Sequence, residues 1–500
     1  THRQPYVEGD AAMLSVASLS LLTTLVASSG VALDRLDWIR ASNVVGDFHF
    51  YDEQGRVRIF HGGNRVQKAP PWYIEDMYES DAEADHMQLL GFSVVRLGFM
   101  WSGYNPAPGV FNQTYVDVIK STVRRLERKG VYSVLNVQMD GLSSKFCTYD
   151  GAPRWVIDKS KPKHTFPWPL KDNCSHRGGP VDIHITTEAS ATAYQDIFDN
   201  NHGMLDDFTA FWSHAARQFK DMSGIIGYDV INEPFAGDFY KDPTLLLPGV
   251  AGSKNLQRMY DILAAAIREH DDRHIIFYEP VTWGMIFSKS VFGSGFSHVP
   301  GGDIYRNRSA YSYHYYCHTF LPSYNDHPLL QRIVCDDTLA RLVWHSVKED
   351  VKRVGGAAMM TEGMECSGVQ SECETNMKQL DDHLFSWTDW DFAMDNDTKA
   401  ESWARTHARA VAGVPLSMTF EPDSKDFNFC FLVDSSIEAP TEIFASVTFS
   451  YPDGQSVTTS GQVQATVDGD LVSVVPLSDV AHGSKACVHI SRTSAVMQIV

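Results

Sequence analysis

The sequence has no surplus of positive charge. Its 62 acidic residues outnumber 42 basic ones, for a formal net charge of −20 over 500 residues. A nucleic-acid binder needs a basic face, so nucleic acid is excluded as a partner. No Cys-x-x-Cys pair occurs, which removes the usual zinc sites. No Gly-x-Gly-x-x-Gly follows the first strand candidate, so nothing supports a nucleotide site. No metal or organic cofactor is expected. Long apolar runs are also scarce. The one such stretch, Met13–Val26, runs into small residues up to Ala32 and then meets Asp34 and Arg35. It is short for a membrane span and has the shape of a secretory signal peptide, expected over residues 13–32. A buried helix or an uncleaved anchor is the alternative. With 43% hydrophobic and 21% charged residues, the rest has the balance of a globular protein.

What is present fits an oxidising compartment. The 8 cysteines are even in number and mostly close in sequence. Neighbouring pairs are expected: Cys147–Cys174, Cys317–Cys335, Cys366–Cys373 and Cys430–Cys487, although spacing alone does not fix connectivity. N-glycosylation sequons stand at Asn112, Asn173, Asn307 and Asn396. The expected location is therefore outside the cell or in the lysosome, reached by secretion.

From Val57 to Phe392 the pattern alternates. β-branched apolar runs are expected as strands over Val57–Val66, Ser93–Trp101, Val131–Asp140, Ile225–Glu233, His274–Pro280, Ala310–Tyr316, Gly356–Glu362 and Leu384–Phe392. Helical patterns separate them, such as Gln113–Lys129, Leu205–Asp221, Asn255–His270 and Asp337–Val354. Eight such units predict an α/β fold, a (β/α)8 TIM barrel over residues 45–412, with an open doubly wound sheet as the alternative. A helix is expected over Glu401–Ala412. Beyond it, residues 416–500 are rich in Val, Thr, Ser and Phe, alternate, and turn often, which predicts a C-terminal antiparallel β-sandwich domain. Residues 158–186 read as a rim insertion.

Active sites of such barrels form at the C-terminal ends of the strands. Strand four ends in Asn232-Glu233-Pro234 and strand seven in Thr361-Glu362-Gly363. Two carboxylates facing one bond are the equipment of a retaining glycosidase: one gives and later takes a proton, and the other attacks the anomeric carbon. Glu279 in Tyr-Glu-Pro is a rival acid or a supporting residue. Asn232 is placed to bind a sugar 2-hydroxyl. Arg96 points inward with Val94 and is expected to pair with Glu362 and keep it ionised. His314 and Tyr316 share a face and are both candidates for binding substrate, and the Tyr316 hydroxyl is expected to orient Glu362. Trp387 is expected to floor a sugar ring. Trp72, Trp101, Tyr104, Trp155, Trp168, Trp283 and Trp390 are further stacking candidates. Asp140, Asp389 and Asp391 are candidates for binding hydroxyls.

Several stretches together resemble the endoglycoceramidases of glycoside hydrolase family five. They are Gly62–Tyr73, Val94–Gly98, Trp101–Gly109, Ile231–Phe235, Tyr278–Trp283, Ser312–Cys317, Thr361–Gly363, Ser386-Trp387 and Arg405–Gly413. The resemblance spans residues 45–500. It implies a (β/α)8 barrel with a C-terminal sandwich, and cleavage of the bond between an intact oligosaccharide and ceramide. It also implies Glu233 as acid/base, Glu362 as nucleophile, and Lys68, Asp140, Asn232, Tyr316 and Trp387 around the first sugar. One position departs: where the family shows His-Gln-Asp, this chain has Gln138-Met139-Asp140, so Gln138 takes the place of a sugar-binding histidine.

A two-tailed lipid needs an apolar groove beside the glutamates. The loops around Trp168, Phe235–Tyr240, Leu245–Leu247 and Trp283–Phe287 are the candidates. Net negative charge gives no attraction to anionic membranes, so contact with micelles or a membrane surface is expected to be transient, aided by detergent or an activator protein. Two other readings stay open. One is a β-glucosidase on glucosylceramide or steryl glucoside, or a polysaccharide endoglucanase; the other is a glycolipid-binding barrel without activity.

Overall fold

The computed structural model describes residues 35–171, 174, 183–281, 293–316, 332–364, 370–392 and 397–493. The expected signal peptide, Trp283, Cys317, Cys366, and the sequons at Asn173 and Asn396 lie outside the described residues. Three short strands come first: β1 (Arg40–Ala41), β2 (Phe50–Tyr51) and β3 (Val57–Arg58). Eight more close a parallel barrel in chain order. They are β4 (His61–Arg65), β5 (Val94–Gly98), β6 (Tyr132–Asn136), β7 (Ile225–Asp229), β8 (Ile275–Tyr278), β9 (Ser309–Tyr315), β10 (Ala357–Gly363) and β11 (Ser386–Asp389). β11 pairs with β4 to complete the ring.

Each strand is buried on both faces, as a barrel wall covered by helices must be. The helix Gln113–Arg128 shows how the cover forms. Asn112 caps its first turn by accepting from the Tyr115 amide, and Tyr115, Val116, Ile119, Val123 and Leu126 turn one stripe toward the barrel. Arg125 and Arg128 occupy its last turn, where cations suit the helix dipole.

Register decides what enters the barrel. Partnered residues of parallel strands face the same way, so Asn64 and Arg96 point in together. In β10 the register shifts between Met360 and Glu362. The shift lets both Thr361 and Glu362 reach inward, and it sets Glu362 opposite His314.

The C-terminal strands are β12 (His407–Val411), β13 (Gly413–Phe420), β14 (Phe427–Val433), β15 (Thr441–Phe444), β16 (Gln455–Ser460), β17 (Val463–Asp468), β18 (Leu471–Pro476) and β19 (Lys485–Arg492). They build two antiparallel sheets, ordered β1-β2-β3-β12-β15-β18-β17 and β13-β14-β19-β16. Val57, Ile59, Met418, Phe427, Phe429, Ile443, Val472 and Val488 fill the space between them. Cys430 and Cys487 sit opposite each other on β14 and β19 and are bonded, as are Cys147 and Cys174. Cys335 and Cys373 each take part in a disulfide as well. Among the described residues no helix is long and apolar enough to cross a membrane.

Two expectations need correction. The run Val57–Val66 is two strands: Val57 and Arg58 pair with β12 in the sandwich, and the barrel begins only at His61. The expected helix over Glu401–Ala412 ends early, at Trp403, and His407–Val411 is a strand. Alanines at 404, 408, 410 and 412 suggest a helix locally. Pairing with β3 on one side and β15 on the other overrides that propensity, and small side chains suit a strand buried between layers.

Candidate active site

Arg96 is the centre of the barrel's upper layer. Its fully buried guanidinium donates to Asp229 Oδ2 (2.7 Å), Glu362 Oε1 (2.6 Å), Asn232 Oδ1 (2.7 Å), Asn64 Oδ1 (3.2 Å) and Glu279 Oε1 (3.3 Å). A cation buried this completely persists because carboxylates surround it, and they hold its charge well above the usual arginine range despite the desolvation that opposes it.

Glu362 accepts from Arg96, from Gln138 Nε2 (3.1 Å) and, through its other oxygen, from the Tyr316 hydroxyl (3.1 Å). Burial alone would raise its pKa. The charges of His314, Arg96 and Lys68 and the Gln138 hydrogen bond outweigh burial and bring it down to about 2. Glu233 follows β7, and its backbone holds a left-handed φ of 45°, unusual for a residue with a Cβ. The Glu233 amide donates to Glu279 Oε2 (2.8 Å), which secures that conformation. Its carboxylate is more open than that of Glu362, 27% exposed against 6%. Burial raises its pKa, as do the charges of Glu362 and Asp140, and contact with His314 pulls it back only in part. The two glutamates therefore have opposite protonation tendencies.

His314 lies between them. Its Nδ1 is 2.9 Å from Glu233 Oε1 and 3.6 Å from Glu362 Oε2. Single donor atoms from Glu233, His314 and Glu362 all lie within 4.8 Å of one another. This is also the one group among the described residues with the reach to hold a metal ion. His314 and Arg96 already supply the positive charge an ion would bring, and carboxyl oxygens within this reach are compatible with the short separation that retaining glycosidases need.

At the mouth, Asp140 accepts from Lys68 Nζ (3.4 Å), from Asn232 Nδ2 (3.2 Å) and from the Tyr149 hydroxyl. Lys68 Nζ stands 4.6 Å above the Trp390 ring. The structure thus gathers Lys68, Arg96, Gln138, Asp140, Asn232, Glu233, His314, Tyr316 and Glu362 around one space.

It does not bring Trp387 there. The Trp387 side chain lies on the outer side of the wall, stacked on His61 at 4.4 Å and edge-on to Phe92. His61 in turn stacks on His407 of the sandwich. Strand parity is the reason: Ser386, Thr388 and Trp390 share one face, and Trp387 and Asp389 share the other. Asp389 is likewise buried outside, accepting from Trp403 Nε1 at 2.8 Å. Trp390 is the tryptophan at the mouth. Trp101 and Tyr104 are buried in the core against Phe208 and Phe211.

Sequence reasoning missed Asp229 and Tyr149. Parity within β7 could have found Asp229, since Gly227 and Asp229 alternate with the outward Tyr228. Tyr149 arrives on a loop and left no signal. Glu279 is the supporting residue rather than the rival acid: it is 3% exposed, with its oxygens on Arg96, His314 and the Glu233 amide.

Comparison with known proteins agrees. Residues 51–396 match the family 5 glycosyl hydrolase cellulase domain, and residues 405–490 match the glycoside hydrolase family 5 C-terminal domain. The chain is 32% identical to an endoglycoceramidase of Cyanea nozakii over 452 residues, covering 81% of this chain and 84% of that protein. It is 33% identical to an endoglycoceramidase of Hydra vulgaris over 479 residues, covering 88% and 86%. The fold resembles endo-glycoceramidase II from Rhodococcus sp. in complex with ganglioside GM3, with a TM-score of 0.70 at 20% identity over 89% of this chain and 99% of that one. The chain is a glycoside hydrolase and belongs to glycoside hydrolase family 5, among the endoglycoceramidases.

Proposed function

We propose that this enzyme is a retaining endo-β-glycosidase that releases the intact oligosaccharide of glycosphingolipids from ceramide. The observation that carries the proposal is the carboxyl pair: close enough for retention, with one member held ionised and the other inclined to keep its proton. In the first half-reaction, a Glu362 oxygen attacks the anomeric carbon. The bond to the ceramide oxygen breaks, and that oxygen takes its electron pair and the Glu233 proton. Glu362 is then an ester. It no longer bears the charge that helped raise Glu233, so the Glu233 pKa falls and its carboxylate stays ionised, free to accept a proton when one is needed. Water gives Glu233 a proton and attacks the same carbon, and the ester bond breaks to restore Glu362.

Lys68, Asp140, Asn232, Gln138 and Tyr316 bind the first sugar in this reading, and Trp390 floors it. Gln138 is fixed by donating to Glu362, and its carbonyl oxygen is buried without a protein partner, which suits it to accept from a sugar hydroxyl. The ceramide and the membrane or micelle surface meet the rim. There Trp168 (41% exposed) packs 5.4 Å from Tyr240, and Leu247 is 56% exposed. The disulfides and the exposed sequon residue Asn112 support passage through the secretory pathway.

Product analysis with a ganglioside in mild detergent tests this. Intact oligosaccharide and free ceramide from wild type, and neither from Glu233→Gln or Glu362→Gln, are expected. Release of single sugars would instead assign an exo-acting glucosidase. No cleavage of glycolipids or simple glucosides by folded protein would leave only a binding role.

A further inference from the structure

We propose that Glu279 is a positioning residue for the acid/base: it holds His314 as a cation through both half-reactions, and that cation keeps Glu233 poised to give and take its proton. The proposal rests on the retaining reading above. Glu279 follows β8 and is locked from behind, because the Tyr260 hydroxyl donates to its carbonyl (2.7 Å) and accepts from its amide (3.0 Å). Its two oxygens then divide the work. Oε2 accepts from the Glu233 amide. Oε1 lies 3.2 Å from His314 Nε2, with Arg96 at 3.3 Å and the Ser312 hydroxyl at 3.3 Å.

His314 has three carboxylate neighbours, and two of them change charge during turnover. Glu362 becomes an ester, and Glu233 is alternately protonated and ionised. Glu279 faces Nε2, the side away from the reacting centre, and takes part in no bond change. It is the constant negative partner. The other groups around His314 do not replace it. Thr361 offers a neutral hydroxyl (3.1 Å), Tyr316 is turned to Glu362, and Asp229 is engaged with Arg96.

Burial would strip His314 of its proton. The charge of Glu279 leads the groups that overcome burial, ahead of Glu362, and the imidazole stays charged well above its ordinary range. His314 in turn is the main group opposing the burial of Glu233. A neutral isostere at 279 therefore weakens the imidazolium, lets Glu233 hold its proton more tightly, and moves the alkaline limb of kcat/KM to higher pH.

The test compares Glu279→Gln, Glu279→Asp and wild type across pH, on a ganglioside and on phenyl β-lactoside, whose leaving group also needs protonation. The alkaline limb is expected to move up in Glu279→Gln on both substrates and to stay at the wild-type position in Glu279→Asp. An unmoved limb in Glu279→Gln, or an equal shift in both variants, would overturn the proposal. The 15N spectrum of His314 in wild type provides a reading that needs no variant to fold. Two protonated ring nitrogens at neutral pH support the proposal, and a neutral ring refutes it. Wild type that cleaves phenyl β-lactoside but not the ganglioside would sink the substrate assignment alone and leave the pH comparison readable.

Discussion

The lower and upper layers of the barrel interior are built from the same strands and differ almost completely. Near the N-terminal ends of the strands, Val94, Val134, Phe277, Ala310, Ala357 and Met359 point inward and pack with Leu36, Ile39, Ala41 and Phe50. Two residues further along, the inward positions hold Arg96, Asn136, Glu279, Ser312 and Thr361, with His314 above. A step of about 7 Å along a strand thus passes from hydrocarbon to a buried ionic network. The lower layer lowers the free energy of the fold. The upper layer costs desolvation, and the packing beneath it keeps its charges at fixed separations. The barrel separates stability from chemistry by depth.

Mutations in each layer test that separation. The largest effects belong to the carboxyl pair. Glu362→Gln should lower kcat by roughly 10^4-fold or more on any β-glycoside, because no covalent intermediate can form. Glu233→Gln should cost roughly 10^2–10^4-fold on ganglioside and far less on an aryl glycoside with a good leaving group, which steady-state rates on the two substrates would show. Arg96→Met should damage both properties. It removes the buried cation that Asp229, Glu279 and Glu362 share, and about 3–5 kcal/mol of stability should be lost in denaturant unfolding along with activity. One layer down, Met359→Ala should cost about 2–5 kcal/mol while kcat/KM per folded molecule stays near wild type. Equal loss of activity in Met359→Ala and Arg96→Met would break the comparison.

The smallest effect lies in the sandwich, away from the barrel interior. Burial would raise the pKa of Glu442, but the charges of Arg409 and Arg56 bring it down to about 2. A depressed carboxyl stabilises the fold above its ordinary value of 4.5, and that contribution fades as pH falls toward 2. The Tm difference between wild type and Glu442→Gln should be widest near neutrality and close over that interval.

Much of this was legible in the sequence, for reasons that can be traced. β5, β6, β7 and β8 show as apolar runs with β-branched residues because both faces of each are buried. Glu233 and Glu362 stand out because strand ends are where a barrel exposes chemistry. Arg96 follows from alternation with Val94. Trp387 sits in a site-like stretch of sequence, yet the alternation that points Arg96 inward turns Trp387 outward onto His61. The same count assigns Trp390 to the mouth. The β10 bulge could not be read, since it breaks alternation where Thr361 and Glu362 both turn inward. The strand at His407–Val411 was hidden because alanine favours a helix in isolation, and its partners are remote in sequence.

That remoteness shapes how the chain must be made. Arg58 Nε donates to the Arg409 carbonyl, 351 residues downstream. During synthesis, β3 therefore emerges long before the strand that covers it, with open backbone groups on that side. A nascent barrel without its tail offers a ready edge to other unfinished copies. β3 is covered only when β12 arrives, and β15 then adds to the far side of β12. The tail thus works as the clasp of the fold, and assembly should be slow and sensitive to truncation at the carboxyl end.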